Sequence, residues 1–266
     1  MTALDDLLNA VQTSPKYQDI TPQIIRRIGA QELRKHKRAK DAIKATKNKL
    51  HQISAAYMAG AFPYDVWREM LAAVHNLDDQ RAICQDIMHS HASTRERLPL
   101  LETFYSTIFA ETGPVSHIID LACGLNPLAW PWMGLGPNVR YDAYDIPERM
   151  MAFLADALAQ FGVKGDVAPR DVLTDVPATP ADLALVLKTL PCLEQIDKHA
   201  PQTVLSALQT RYAVVSFPVR SLGGAQKGMA SHYATHFEDT LESLPWAAQR
   251  LPIDQELVYL LTRRTG

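Results

Sequence analysis

The chain has 266 residues, 47% of them hydrophobic, and a formal net charge of −2, so it can bury a full core and its overall charge points to no partner. No apolar run reaches the roughly 18 residues that span a bilayer, and MTALDDLLNA lacks the basic and cleavage regions of a secretion signal; a cytoplasmic protein with no membrane partner is expected. Cys84, Cys123 and Cys192 are odd in number, far apart and without C-x-x-C spacing, which excludes an encoded disulfide framework or zinc site.

Residues 1–110 read as helical. Thr21-Pro22 starts a helix, with Thr21 as the cap and Ile24, Ile25 and Ile28 as its apolar face. A second run over 39–58 spaces Ala42, Ile43, Leu50, Ile53 and Tyr57 at broadly helical intervals, and further helices are predicted near 63–75, 78–89 and 93–110. Positive charge is concentrated here: 10 of the 27 Lys and Arg residues fall between positions 26 and 49, among them Arg26, Arg27, Arg34, Lys35, Lys37 and Arg38, opposed only by Glu32 and Asp41. A charge run is ordinarily a solvated face; with so few acids beside it, a face that binds a polyanion is the stronger reading.

Past Gly113-Pro114 the pattern changes to short β-rich runs alternating with helical ones. Strands are predicted at 115–121, 139–145, 166–171, 182–188 and 212–217, with helices near 147–161 and 194–209. The last run, AAQRLPIDQELVYLLTRR, reads as two strands joined by a tight Pro-Ile-Asp turn. The expected architecture is α/β: a parallel sheet closed by an antiparallel pair over 111–266, behind a helical N-terminal domain over 1–110.

In such a sheet a ligand sits beyond the carboxyl ends of the strands. Those ends carry Asp120 with the loop Ala122-Cys123-Gly124, then Asp145, then Asp171 followed by Val172, then Lys188. Asp145 stands at the distance from the first loop at which an acidic residue takes ribose hydroxyls, and Asp171 is suited to accept from an adenine exocyclic amine. A single strand-end Asp is more often a turn or cap residue, but three in successive units make coincidence a poor account. The loop DLACGLNPLA has one glycine where a pyrophosphate-binding loop has three, and GGAQKGM at 223–229 lacks the Ser/Thr of a nucleotide-triphosphate loop. A cationic adenosine derivative without phosphate fits these constraints, namely S-adenosylmethionine. Its carboxylate needs a partner, and HASTRERLPLLETFY at 91–105 offers Arg97 or Arg95, with Ser93 or Thr94 as helix cap.

His232 and His236 have metalloprotease spacing in HYATH, but Tyr233 stands where the glutamate base would be; no metal site is expected. Cys123 needs no role beyond being small in a tight loop.

HASTRERL (91–98), DLACGLNPLA (120–129), DLALVLKTLPCLE (182–194) and SFPVRSLGG with KGM (216–224, 227–229) resemble the aminoglycoside-resistance 16S ribosomal RNA methyltransferases that modify N7 of guanine 1405, the Arm/Rmt type; RRIGAQELRKHK and LHQISAAY extend the likeness over nearly the whole chain. The resemblance implies a Rossmann-like class I S-adenosylmethionine-dependent methyltransferase domain behind a helical domain that docks on the assembled 30S subunit, acting as a monomer. It implies that Arg97 holds the cofactor carboxylate, that Asp120, Ala122 and Gly124 line the cofactor, that Asp145 holds the ribose, and that Asp171 and Val172 lie by the adenine. Lys188 and the segment 220–229, with Arg220, Ser221 and Met229, would lie at the target base. The family often has Gln before that aspartate; this chain has Arg170.

Guanine N7 has an in-plane lone pair and no proton, so its methylation is a direct displacement without a general base. The residues sought are those that stack on or orient a base: Trp130 or Trp132, Phe217, Arg220, Ser221 and Met229, with Lys227 and the basic helices contacting phosphates. The alternatives are a non-catalytic RNA-binding protein on a degenerate methyltransferase fold, and a small-molecule methyltransferase, which would leave the basic run unexplained.

Overall fold

A computed structural model describes residues 2–55, 62–219 and 229–264 of the chain. The N-terminal half is helical, as its periodicity requires. Helix α1 (Ala3–Gln12) begins with a reciprocal cap between Thr2 and Asp5 and buries Leu7, Leu8 and Val11. Helix α2 (Pro22–Lys35) starts where Thr21-Pro22 placed it, although Thr21 makes no side-chain cap bond. Helix α3 (Ala39–Leu50) stops earlier than the 39–58 run suggested and passes into a wide π turn over His51–Ala55. Helices α4 (Tyr64–Ala72) and α5 (Leu77–Met88) match their predicted spans closely. The run expected as one helix over 93–110 is broken into α6 (Ala92–Arg97), a single 3-10 turn and α7 (Leu101–Thr112). Pro99 is the reason: it has no N–H to donate and its ring clashes with the preceding turn.

The second half alternates strand and helix. In chain order come β1 (His117–Leu121), α8 (Trp130–Met133), β2 (Arg140–Asp145), α9 (Glu148–Gln160), β3 (Val167–Pro169), β4 (Ala181–Leu187), α10 (Leu190–Glu194), α11 (Ala200–Ala207), β5 (Thr210–Pro218), α12 (Met229–Leu241), β6 (Trp246–Arg250) and β7 (Glu256–Arg263). The helix predicted over 194–209 is realised only as α11, opened by Pro201 in its first turn, while α10 ends at Glu194, where the predicted helix was to begin. The strand expected over 166–171 is only three residues long. The terminal pair is joined by 251–255 rather than by a three-residue turn.

The seven strands lie in the order β3-β2-β1-β4-β5-β7-β6. β1 to β5 are parallel, and β7 inserts antiparallel between β5 and β6. The order reverses between β1 and β4, which opens a crevice at their carboxyl ends. Successive residues point to opposite faces, so each central strand feeds two cores. Ile118 and Leu185 pack with α4–α9, against Phe104, Tyr105 and Phe153. Ile119 and Val186 pack on the other side with Val204, Phe237 and Trp246. Each such side chain, when fully buried, contributes about 1.5–3 kcal/mol.

The helices of the N-terminal half pack in two sets. Those from α4 to α7 share a core with the sheet, whereas α1–α3 form a smaller cluster joined to the second half by Ile146, just past β2, and by Ile196, just past α10. Backbone bonds strengthen that link: Thr21 N–H donates to the Ile146 carbonyl at 3.2 Å and Glu148 N–H to the Asp19 carbonyl at 2.8 Å. The α1–α3 unit is therefore held directly over the turn that carries Asp145.

Candidate active site

A cleft of about 750 Å³, open to solvent, lies at the carboxyl ends of β1, β2 and β4. Six residues expected at the cofactor or target base line it: Ala122, Gly124, Asp145, Asp171, Val172 and Lys188. Its floor is the loop after β1, where Ala122 (φ +50°) and Gly124 (φ +53°) both take left-handed backbone. Glycine is required at 124 for a second reason: a Cβ there would stand 2.8 Å from Cε1 of His91. His91 is buried beside the loop, and burial, with the charges of Lys188 and Arg95, lowers its pKa to about 4. An uncharged imidazole thus forms part of the wall.

Asp145 is fixed by the same loop. Its Oδ2 accepts from Gly124 N–H at 2.7 Å and its Oδ1 from Ile146 N–H at 2.7 Å. Burial raises its pKa, and the two N–H donors work against that rise. Each oxygen keeps a lone pair for a ligand. Across the cleft, Lys188 is itself left-handed (φ +57°), because the chain must turn sharply out of β4; its N–H is tied to the Ser216 carbonyl of β5 at 3.0 Å. Thr189 closes the switch point by donating its hydroxyl to the Leu121 carbonyl at 3.0 Å.

Three expected placements change. Arg97 is not in the cleft: it is 2% exposed, stacks 4.6 Å over Phe104, and donates to both oxygens of Glu256, at 3.1 and 2.5 Å, and to Asn126 Oδ1 at 3.1 Å. A guanidinium in that setting is consumed by an internal ion pair. Asp120 likewise lies beneath the floor rather than on it, fully buried, with Oδ2 accepting from Tyr141 at 2.7 Å and Asn126 at 2.9 Å. Burial pushes its pKa up to about 7, against those two bonds, and its Oδ1 has no partner. Arg27, counted with the basic face, turns inward instead and donates from Nε to Asp171 Oδ2 at 2.6 Å.

The aromatic candidates do not reach the cleft either. Trp130 packs edge-on against Tyr141, Trp132 lies under Arg81, and Phe217 is buried against Tyr233 and Phe237. Neither Ser93 nor Thr94 caps α6: the residue at the cap position is His91, and Thr94 bonds back to the Met88 carbonyl. Arg220, Ser221 and Lys227 lie outside the described residues, as does the side chain of Met229.

Of the basic run, Arg34 and Lys37 are exposed or partly so, Arg38 pairs with Asp41 at 2.7 Å, and Arg26 pairs with Asp5 at 3.0 Å. Lys35 and Lys49 converge on the buried carboxylate of Glu32 at 3.1 and 3.0 Å. Among the described residues no group of His, Cys, Asp and Glu is arranged to hold a metal, and no helix is long and apolar enough to cross a membrane.

Glu256 was not singled out by sequence reasoning. Its carboxylate is reached by Arg97, by the Ser216 hydroxyl and, at 3.8 Å, by Lys188 Nζ, which sits 2.6 Å from Glu96. Burial raises its pKa, but Arg97 and Lys188 outweigh that and hold it below the usual carboxylate value. The available signal was alternation: Glu256 shares a face of β7 with Val258 and Leu260, which are core residues, so a charge there had to find a buried partner.

A sheet of this strand order, with carboxylates after β2 and β3 around a floor that has no phosphate cradle, defines a class I methyltransferase fold. The ribosomal RNA methyltransferase (FmrO) family model matches residues 13–260, and the chain belongs to that family. It is 38% identical over 263 residues to a 16S rRNA (guanine(1405)-N(7))-methyltransferase of Micromonospora rosea, covering 97% of this chain and 96% of the relative. It is 34% identical over 264 residues to the protein of the same name from Serratia marcescens, covering 98% of each. Among solved structures, the 16S rRNA methyltransferase RmtF in complex with S-adenosyl-L-homocysteine superposes with a TM-score of 0.86 at 32% identity over 99% of both chains. RmtB superposes with a TM-score of 0.80 at 29% identity over 98% of both.

Proposed function

We propose that this protein transfers a methyl group from S-adenosylmethionine to N7 of guanine 1405 of 16S ribosomal RNA in the assembled 30S subunit, and so protects its host from aminoglycosides. The observation that carries this reading is the cleft, in which two carboxylates from consecutive strand ends, Asp145 and Asp171, face a floor that has nothing to wrap a phosphate. Two acceptors suit a ribose diol and an exocyclic amine, and a floor without a phosphate cradle suits a nucleoside that carries no phosphate. The donor set therefore fits the cofactor that the RmtF complex implies.

The bound cofactor supplies an electrophilic methyl group on a sulfonium. The residues of this chain hold and align it. Ala122 and Gly124 keep the floor low, Asp145 takes the ribose, and Asp171 with Val172 takes the adenine end. Because N7 carries no proton, no residue is assigned as a base. Lys188, with Arg220, Ser221 and Met229, is assigned to positioning the target base. Lys188 reaches that task with its ammonium steadied by Glu96 and Glu256.

The helical half, residues 1–110, is assigned to docking, with Arg34 and Lys37 and the neighbouring Lys35 and Arg38 on phosphates and Lys227 nearer the target. Such contacts offset the few kcal/mol needed to unstack a helical base. The protein acts as a cytoplasmic monomer in this reading.

The test is methylation of purified 30S subunits with S-adenosylmethionine, followed by chemical cleavage at 7-methylguanine and primer extension. A single stop at guanine 1405 is expected. A stop at another nucleotide, or none, overturns the assignment.

A further inference from the structure

A purine has two flat faces that need apolar cover. Among the described residues lining the cleft, the one aromatic ring is the imidazole of His91, which lies against Gly124 at the floor. The faces are therefore left to aliphatic side chains, Ile146 and Val172 of the sheet half and Ile24 and Ile53 of the α1–α3 unit. Ile24 lies in α2 one turn before Arg27, whose bond to Asp171 at 2.6 Å ties this part of α2 to the end of the cleft where β3 stops. It is fully buried and backs the wall. Ile53 differs: it packs on the α1–α3 core, yet is only half-buried and lines the cleft. It stands in the π turn over His51–Ala55, which packs against α10, the helix that brings Cys192 and Leu193 to the cleft. The stretch HQISA has neither glycine nor proline, so local sequence does not force the helix to widen there. Such turns are rare and concentrate at functional sites, because one extra residue in the turn re-aims the side chains around it.

We infer that Ile53, aimed by the π turn, is a cofactor-binding residue whose side chain packs on one face of the adenosine, with Ile24 behind it. The α1–α3 unit then completes the cofactor site as well as carrying the docking face. Without Ile53 the adenosine keeps its polar contacts at Asp145 and Asp171 but leaves apolar surface to water. The loss is therefore the same for every ligand that shares the adenosine, whatever its tail. The inference rests on the assignment of this cleft to S-adenosylmethionine.

The experiment is calorimetric titration of the full chain with S-adenosylhomocysteine and with methylthioadenosine, which shares the adenosine but has no amino-acid tail. Wild type, Ile53→Ala and Ile53→Leu are compared, alongside denaturant midpoints. Ile53→Ala is expected to weaken both ligands by the same factor, about tenfold, with its midpoint close to wild type because the side chain is only half-buried. Ile53→Leu conserves the apolar volume and should bind both ligands nearly as wild type does. Unaltered affinities in Ile53→Ala overturn this inference alone, as does a loss confined to S-adenosylhomocysteine, which would move Ile53 to the methionine end. Equal losses in Ile53→Ala and Ile53→Leu with lowered midpoints overturn it as well, because packing of the turn would then be the cause. No binding of S-adenosylhomocysteine by wild type overturns the reading of the cleft itself.

Discussion

Arg97 and Glu256, 159 positions apart in the chain, form a buried ion pair in which each side chain is 2% exposed. It fastens α6 to β7 directly behind Lys188, and so joins the first half of the chain to the last strand. A pair removed this far from water must be complete, because either charge alone is strongly disfavoured.

Glu256→Ala should therefore lower the unfolding free energy by about 3–5 kcal/mol, since it leaves Arg97 without its counter-charge. Denaturant unfolding measures this, and a change within the range of an ordinary surface substitution would show that Asn126 and Phe104 suffice for Arg97. Glu256 has a lowered pKa in the fold, so its contribution is present above the ordinary carboxylate value of 4.5 and is lost as pH falls through its lower folded value.

Asp120 and His91 make opposite contributions to the pH dependence of stability. The folded pKa of Asp120 is raised from 3.8 to about 7, so the folded state holds a proton that the unfolded state has lost, and stability falls as pH rises across that window. His91 has its pKa lowered from 6.5 to about 4, so the unfolded state binds the extra proton, and stability rises with pH between those values. Between pH 4 and 6.5 the two slopes offset each other in the wild type. Asp120→Asn should uncover the rising slope and His91→Gln the falling one, each measured as unfolding free energy against pH. Identical profiles for the two variants would contradict the assignment.

Gly124→Ala adds a methyl group at φ +53° against His91, 2.8 Å away. A loss of about 1–3 kcal/mol in stability is expected from the backbone alone, together with weaker S-adenosylhomocysteine binding. Combining it with His91→Ala should relieve the clash but not the backbone strain, so stability returns only in part. Full recovery in the double variant would locate the whole cost in the imidazole contact.

Reversing the charge of Lys35, Lys37 and Arg38 should reduce 30S affinity and flatten its salt dependence, by roughly 0.7–0.9 in the log–log slope for every phosphate that is no longer neutralised. S-adenosylhomocysteine affinity should not change, because none of the three lines the cleft. An unaltered salt slope would return this face to solvent.

Lys188→Ala should lower single-turnover methylation of 30S subunits while the fold survives, since Arg97 still balances Glu256. An undiminished rate would remove Lys188 from the target-base side of the cleft.

The strand ends, the class of fold and the carboxylates of the cleft were legible in the sequence because they depend on local periodicity. Apolar runs such as HIIDL and ALVL form strands wherever they fall, and a polar residue at the end of each one is carried to the same edge of a parallel sheet. Asp145, Asp171 and Lys188 are therefore in the cleft by position alone. The resemblance carried the family with them. Partnership was another matter, because it depends on which side chains meet across long stretches of chain. Arg97 and Arg27 look alike in sequence to arginines that reach for ligand or RNA. Only packing decides that one is enclosed with Glu256, 159 positions away, and that the other is turned onto Asp171, 144 positions away. Periodicity says that a charge is there; desolvation and the geometry of its neighbours determine what it can still bind.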